Sequence, residues 1–249
     1  MDRGLAYAEA CFETFRVIRG EIFAWPAHAA RLRQGLGAFA LCVSNAQIDR
    51  MRAACVEAAV GLDALVRLTV SGGNASWGLF ARAPQLAVRI QAMPYDADVG
   101  PVVLTVLDWP SPPIDRMAKF TADYASTLRA LRGERSALFA HRQHLVSAAT
   151  ANVMILRHEQ WWTPSLGAGV LAGVIRRHLI ESGSVREGPC PVAWLDDCAA
   201  LALTASSFFV RPLAGLRTEQ GIRRLEDQSL QLISCLADLP GVPADIYHA

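Results

Sequence analysis

The chain has 249 residues, of which 52% are hydrophobic and 19% charged, so it can bury one large core or two modest ones. Its formal net charge of +1 argues against the basic surface that attracts nucleic acid or membranes. Six cysteines without CxxC pairs or metal-ligand spacing indicate free thiols in a reducing compartment and no zinc site. We find no pattern typical of a signal peptide or a membrane span, and the predicted location is the cytoplasm.

Mixed α and β structure is predicted before residue 108. Two short strands come first, then two helices with apolar residues at helical spacing, and then three strand-like runs. In chain order these are strands at 12–17 and 21–24 joined at Arg19-Gly20, helices from His28 and from Asn45 as a plausible N-cap, and strands at 65–71, 85–92 and 102–107, the first followed by a turn at Gly72-Gly73-Asn74.

A proline-rich stretch divides the chain. Asp108-Trp109-Pro110-Ser111-Pro112-Pro113 has three prolines in four positions, which neither a helix nor a central strand accommodates. We predict a smaller N-terminal α/β domain at 1–107, a linker at 108–118 and a larger C-terminal α/β domain at 119–249. In the last, the predicted elements are a helix at 119–131, a strand at 152–156, a helix at 172–182 closed by Gly183, strands at 201–204 and 208–213, and an amphipathic helix at 223–236.

Lysine usage points to one residue. Lys119 is the only lysine among the 24 residues that are lysine or arginine. Arginine can replace a solvated lysine, but a guanidinium stays protonated and cannot attack a carbonyl as an amine can. Lys119 is therefore a candidate for a Schiff base with a substrate or with pyridoxal phosphate. The alternative is that one lysine survived by chance.

Ordered motifs near the N-terminus support the cofactor hypothesis. Asp2-Arg3-Gly4-Leu5-Ala6-Tyr7 precedes Cys11-Phe12-Glu13-Thr14-Phe15-Arg16-Val17 and then His28-Ala29-Ala30-Arg31-Leu32. This order resembles the fold-type-IV pyridoxal-phosphate enzymes, the aminotransferase class IV family. The resemblance implies a two-domain α/β fold like that of D-amino acid aminotransferase, with pyridoxal 5'-phosphate at the domain interface. It also implies a homodimer in which the small domain of one subunit helps to close the other's site.

The resemblance gives roles to three residues. Arg31 would hold the cofactor phosphate, which a planar guanidinium can bind through two hydrogen bonds. Lys119 would form the Schiff base. Tyr124 has the lysine-to-tyrosine spacing of branched-chain aminotransferases, whose phenol hydrogen-bonds the ring hydroxyl of the cofactor. The alternative for Tyr124 is a core aromatic residue, and His28 is expected to be structural.

One segment departs from the family. Residues 146–153 are similar to a stretch in which a glutamate precedes an asparagine by five positions and pairs with the pyridine nitrogen. Asn152 matches the asparagine, but Ser147 stands in the place of the glutamate. Serine carries no charge, so the cofactor ring should be a weaker electron sink. Arg142 and His144 are sequence neighbours that could replace the carboxylate.

Two later stretches are similar to phosphate-binding turns of the family. Residues 162–166 and 169–176 predict a helix whose first N–H groups, at Val174 and Ile175, could cradle a phosphate. Ile175 replaces a family threonine, so one hydroxyl contact is lost. Ser206 and Ser207, before a predicted strand, are the expected hydroxyl contacts.

Three functions follow from this resemblance, each with a small-molecule ligand and without nucleic acid or membrane. Residues 11–18 and 162–176 are similar to 4-amino-4-deoxychorismate lyases, which release 4-aminobenzoate and pyruvate in folate synthesis. Aromatisation drives that elimination, so a weak electron sink impairs it less than transamination. Tyr124 supports the alternative of a branched-chain or D-amino acid aminotransferase. Ser147 and Ile175 motivate a second alternative, a decayed site with a binding or scaffold role.

Overall fold

The computed structural model describes residues 1–96, 102–110, 112, 116–237, 239 and 241–242. These residues form two compact units. The first comprises Met1–Asp96 and Met117–Tyr124, and the second comprises the other described residues. Within the described ranges, no helix is long and apolar enough to cross a membrane.

The first unit contains a four-stranded antiparallel sheet, in the order β2-β1-β3-β4, and three helices. Its elements are α1 (Arg3–Tyr7), β1 (Ala10–Ile18), β2 (Glu21–Ile22), α2 (Trp25–Ala38), α3 (Asn45–Glu57), β3 (Ala64–Ser71) and β4 (Ala87–Pro94). Residue alternation gives the sheet one core face: Val66, Leu68 and Val70 are buried, and the residues between them are partly exposed. Leu32 and Leu36, one helical turn apart on α2, pack in the same cluster.

Helix α3 begins one residue earlier than the predicted cap would place it. Ser44 is the N-cap, since its hydroxyl accepts a 3.2 Å hydrogen bond from the Gln47 N–H. The Gln47 side-chain oxygen accepts a 2.9 Å bond from the Ser44 N–H in return. This reciprocal capping box makes Asn45 the first helical residue, so its prediction as the cap was wrong by one position.

The second unit contains two five-stranded sheets, in the orders β10-β9-β8-β11-β12 and β14-β13-β5-β6-β7. Leu138 and Leu145 of one sheet and Val153 and Leu203 of the other belong to a single hydrophobic cluster, so the sheets share a core. In chain order the elements are β5 (Val103–Asp108), α4 (Asp123–Leu131), β6 (Leu138–His141), β7 (His144–Ala148), β8 (Asn152–Arg157), β9 (Gln160–Pro164), α5 (Val174–Glu181), β10 (Val185–Gly188), β11 (Ala200–Ala205), β12 (Phe209–Pro212), β13 (Gly215–Thr218), β14 (Gly221–Arg224) and α6 (Leu230–Ser234).

The two units divide the chain differently from the predicted domains. Strand β5, expected in the first domain, pairs in parallel with β6 and β13, whose residues come later in the chain. Residues 117–124, expected in the linker and the second domain, group with the first unit because 119–121 pair with β1. Of the predicted linker, Ser111 and residues 113–115 lie outside the described residues.

Two predicted helices are shorter than expected. The first starts at Asp123 rather than at Lys119, because residues 119–121 make extended backbone pairs instead. The last covers only Leu230–Ser234, because Arg223 and Arg224 form an antiparallel hairpin strand with β13. Apolar residues at helical spacing over 223–236 therefore misled the prediction, since long-range strand pairing outweighs local helical periodicity.

Candidate active site

Lys119 lies on an extended segment that extends the pairing of β1. Its carbonyl oxygen accepts a 3.0 Å hydrogen bond from the Phe12 N–H, and the Thr121 N–H donates a 3.1 Å bond to the carbonyl of Ala10. Successive side chains of an extended segment point to opposite sides. Ala118 and Phe120 pack into the core of the unit, so Lys119 projects away from that core.

The neighbours of Lys119 are held by close packing against α2. A Cβ at Gly35 would lie 2.7 Å from the Cβ of Ala118 and 2.8 Å from the sulfur of Cys11. Only glycine therefore lets α2 approach this segment so closely. The Phe120 ring meets Phe39 edge to face, with centroids 5.4 Å apart. The backbone that carries the only lysine is thus fixed from both sides.

The Phe12 ring lies at the centre of an aromatic and cationic cluster that includes the lysine amine. The Lys119 Nζ lies 5.4 Å from the centroid of the Phe12 ring, and the Arg67 guanidinium carbon lies 3.9 Å from it. Tyr124 stacks on Phe12 with centroids 5.3 Å apart. Arg67, on β3, has no carboxylate partner within the described residues. Lys119, Tyr124 and Arg67 therefore each lie against Phe12. No site role was predicted for Phe12 or Arg67.

Arg31 makes a bidentate ion pair with a buried carboxylate. Its Nε and Nη2 donate hydrogen bonds of 2.8 and 2.5 Å to the two oxygens of Glu13. The Nδ1 atom of His28 lies 2.7 Å from one of the same oxygens. Glu13 is 1% exposed and Arg31 5% exposed. Arg31 is therefore a core cation with a fixed orientation.

Charge in this cluster is set by opposing effects. Burial raises the pKa of the Glu13 carboxyl, but the charge and hydrogen bonds of Arg31 and the hydrogen bond from His28 lower it from 4.5 to about 2. Burial lowers the pKa of His28 below 6.5, and the charges of Arg31 and Lys119 lower it further, against the effect of Glu13. At neutral pH, Glu13 is ionised and His28 is neutral.

Ser147 is a buried hydroxyl without a partner. It lies on β7, is 3% exposed, and its Oγ makes no hydrogen bond. His144, three residues earlier, is exposed, and its ring nitrogen bonds the carbonyl of Arg142 at 2.8 Å. The structure therefore does not bring Arg142 or His144 to Ser147.

The start of α5 is shaped by a glycine and an asparagine. The Asn152 amide donates a 3.0 Å hydrogen bond to the carbonyl of Leu171. A Cβ on Gly173, the N-cap residue, would overlap the Asn152 side-chain oxygen. No side chain caps the helix, so the N–H groups of Val174 and Ile175 have neither an intrahelical acceptor nor a side-chain cap. The predicted helix start is confirmed, two residues later than expected.

A third group of polar side chains lies where β11 ends. Thr204 pairs across the sheet with Asn152, and its buried Oγ1 makes no hydrogen bond. Ser206 and Ser207 lie in the turn between β11 and β12 and are partly exposed. Thr204 was not predicted as a site residue, although its position directly before the serine turn is a signal that could have pointed to it.

These residues fit the chemical needs of pyridoxal phosphate. An amine for the aldehyde is present at Lys119, and an uncapped helix start follows a glycine that a Cβ could not replace. Two buried hydroxyls, at Ser147 and Thr204, lack the partners that buried polar groups normally have. An orphaned buried hydroxyl is a ready hydrogen-bonding group for a ligand.

The chain is similar to a known family and to several solved structures. The model of the amino-transferase class IV family matches residues 10–216. A curated protein of Schizosaccharomyces pombe, provisionally named an aminodeoxychorismate lyase, is 42% identical over 50 residues. That match covers 20% of this chain and only 22% of the curated protein.

Solved structures of two kinds of enzyme share the fold. A structure from Legionella pneumophila, provisionally named a 4-amino-4-deoxychorismate lyase, is 24% identical with a TM-score of 0.81, and the match covers 94% of this chain and 92% of that chain. The branched-chain aminotransferase of Thermoproteus uzoniensis is 21% identical with a TM-score of 0.80, covering 95% and 87%. The predicted mixed α/β, fold-type-IV architecture is confirmed.

Proposed function

The chain belongs to the aminotransferase class IV family of pyridoxal-phosphate-dependent enzymes, and we propose that it is a lyase that converts 4-amino-4-deoxychorismate to 4-aminobenzoate and pyruvate. The single observation that carries the proposal is that the Arg67 guanidinium and the Lys119 amine both lie against the Phe12 ring, with no carboxylate partner for Arg67 in the described chain. The proposed substrate carries two carboxylates and an amine. The cation can bind a carboxylate, and the lysine supplies the nucleophilic amine that the proposed chemistry needs.

We propose specific residues as contacts of the cofactor. Lys119 would hold it covalently, Arg31 and the N–H groups of Val174 and Ile175 would bind its phosphate, and Tyr124 its ring hydroxyl. The remaining proposed contacts are the hydroxyls of Ser147, Ser206 and Ser207. When bound, pyridoxal phosphate supplies an electron-withdrawing ring that stabilises negative charge on the carbon next to the substrate nitrogen.

Lys119 would perform the proton transfer. With the cofactor and substrate bound, its Nζ would act as the base beside the Phe12 ring that takes the proton from the amine-bearing carbon of the substrate ring. The bond from the ring to the enolpyruvyl oxygen would break, the ring would become aromatic, and the released enolpyruvate would take up a proton to give pyruvate. Arg67 would hold a substrate carboxylate during this step.

Ser147 favours elimination over transamination. A neutral hydroxyl cannot hold a proton on the ring nitrogen as a carboxylate can, so less negative charge is stabilised. The proposed elimination gains its driving force from the aromatic product, and it needs that stabilisation less than a transamination does.

A direct assay tests the proposal. Purified protein saturated with pyridoxal phosphate is incubated with 4-amino-4-deoxychorismate, 4-aminobenzoate is measured by its fluorescence, and pyruvate is measured with lactate dehydrogenase. We expect equal amounts of both products, and none from Lys119→Arg prepared in the same way. Absence of 4-aminobenzoate from the saturated wild-type protein would reject the lyase.

The stacking of Tyr124 on Phe12, next to Lys119, supports a second candidate, an aminotransferase for branched-chain or D-amino acids. Its test is a single half-reaction with a panel of amino acids, in which pyridoxamine phosphate is measured by chromatography. Formation of pyridoxamine phosphate without any 4-aminobenzoate activity would favour this candidate over the lyase.

We also propose a cytoplasmic homodimer. All six cysteines lie within the described residues and are free thiols, which suits a reducing compartment. The dimer rests on the family resemblance, and sedimentation of the purified protein tests it.

A further inference from the structure

We propose that Glu13 is a positioning residue that aims Arg31 at the cofactor phosphate. This inference rests on the proposed function, in which Arg31 binds that phosphate, and it gives a role to a buried acid that no step of the reaction uses. Glu13 lies in the middle of β1, opposite Leu68 on β3, so its backbone is held within the sheet.

The contact between the two side chains fixes the direction of the guanidinium. Both carboxylate oxygens of Glu13 are used, at 2.8 Å from Nε and 2.5 Å from Nη2 of Arg31. A guanidinium is planar and has five N–H donors in a rigid fork. Holding the Nε edge therefore fixes the plane of the group and the direction of its Nη1 atom.

His28 makes the carboxylate itself immobile. Its Nδ1 is 2.7 Å from the Glu13 oxygen that also accepts from Nη2 of Arg31, so three nitrogens hold one carboxylate. The His28 ring contacts the Phe15 ring edge to face, with centroids 5.2 Å apart. The arginine is thus supported by a buried network in which each member orients the next.

A purely structural ion pair is the competing explanation, and burial argues against it. Replacing a fully buried ion pair with apolar residues is often neutral or stabilising, so stability alone does not favour its presence. On the same strand, Arg16 pairs in the same bidentate way with Asp63, whose side chain is 42% exposed. That second pair is the matched control for a structural role.

The experiment compares two ligands that differ only in the phosphate. Dissociation constants for pyridoxal phosphate and for pyridoxal are measured by absorbance titration for the wild type, Glu13→Gln and Asp63→Asn. We expect Glu13→Gln to weaken the binding of pyridoxal phosphate about tenfold or more. The reason is that an amide has one acceptor oxygen, whereas the Arg31 guanidinium donates to two. Pyridoxal binding should stay unchanged, and Asp63→Asn should leave the ratio of the two constants as in the wild type.

The other outcomes distinguish failure of the positioning role from failure of the proposed function. Equal weakening of both ligands by Glu13→Gln, or no weakening of either, would overturn the positioning role alone. A wild-type protein that binds neither ligand would overturn the proposed function and this inference with it. Should Glu13→Gln fail to fold, Glu13→Asp keeps the charge, but its shorter side chain draws the carboxylate back from Arg31, and it should shift the ratio in the same direction.

Discussion

The Phe12 N–H donates a 3.0 Å hydrogen bond to the carbonyl oxygen of Lys119, so the only lysine of the chain is attached to β1 through the main chain. The ring centroid of the same Phe12 lies 5.4 Å from the Lys119 Nζ and 3.9 Å from the Arg67 guanidinium carbon. One strand residue therefore organises both the backbone and the side chains of the candidate site.

Replacing the lysine should abolish covalent cofactor binding. In Lys119→Arg the charge remains, but no amine is available, so we expect a loss of activity of about a thousandfold or more. The measurement is borohydride reduction followed by mass spectrometry of peptides. The chain has no other lysine, so any remaining adduct on the variant could form only at the N-terminal amine. A cofactor adduct on another residue of the wild type would contradict the assignment.

Arg67 should control substrate affinity. In Arg67→Gln we expect KM for 4-amino-4-deoxychorismate to rise about tenfold to a hundredfold, because a hydrogen bond to a charged group contributes about 1.5–3 kcal/mol. The Kd for pyridoxal phosphate should change little. Arg89→Gln, on the neighbouring strand β4 and exposed, is the control and should leave KM as it is. An unchanged KM in Arg67→Gln would remove the observation on which the proposed substrate depends.

The unpaired buried hydroxyls of Ser147 and Thr204 should destabilise the folded protein when no cofactor is bound. Ser147→Ala and Thr204→Val remove buried hydroxyls without partners, so the cofactor-free protein should be as stable as the wild type or about 1 kcal/mol more stable. Thr163→Val is the control, because its buried hydroxyl donates a 2.9 Å bond to the carbonyl of Val153. That variant should lose about 1 kcal/mol in urea unfolding. A loss of similar size in all three would show that the hydroxyls have partners.

Glycine at position 173 should be required for phosphate binding. In Gly173→Ala the new Cβ would displace Asn152 and shift the start of α5, at a cost of about 1–3 kcal/mol from overpacking. We expect the Kd for pyridoxal phosphate to rise at least about tenfold. Gly167→Ala is the control in the same segment, since a Cβ there meets nothing within 4 Å. Wild-type affinity in Gly173→Ala would place the phosphate elsewhere.

His28 should make the protein sensitive to mild acid. Its folded-state pKa is lowered, so the unfolded chain binds more protons and stability falls as pH drops below about 6.5. Glu13 adds a further loss between pH 4.5 and about 2, because its pKa is also lowered. His28→Asn keeps a donor for Glu13 but cannot titrate, so the free energy of unfolding should depend less on pH between 7 and 5. An equal slope in both proteins, from urea unfolding at each pH, would contradict the buried neutral histidine.

Local patterns were sufficient for much of the fold. The strand pair around Arg19-Gly20, the helix through Leu32 and Leu36, and the helix ending before Gly183 each follow from short-range spacing or a single turn residue. The grouping of β5 with the second unit depends on distant partners. The parallel partners of β5 lie more than 30 residues further along the chain, and no periodicity within the strand reveals them.

In the candidate site, too, some residues could be selected from local sequence patterns and others depend on tertiary contacts. Lys119 and Arg31 were predicted from rarity and motif order, and the structure gives both a fixed environment. Their roles remain predictions, as do those of Tyr124, Val174, Ile175, Ser147, Ser206 and Ser207. Glu13 was present in a quoted motif and Arg67 in a predicted strand, but their roles depend on which side chains meet across β1 and β3, and that is a tertiary property. An acid between the apolar residues Phe12 and Phe15 was the available signal for Glu13.

Residues 119–121 are attached to β1 through main-chain hydrogen bonds. The position of the Lys119 amine therefore does not depend on the identity of the side chains that contact it. Aromatic and basic neighbours can then diversify without relocating the nucleophile. A scaffold of this type can exchange one reaction for another by changing a handful of surface positions, while the reactive nitrogen stays where the strand puts it.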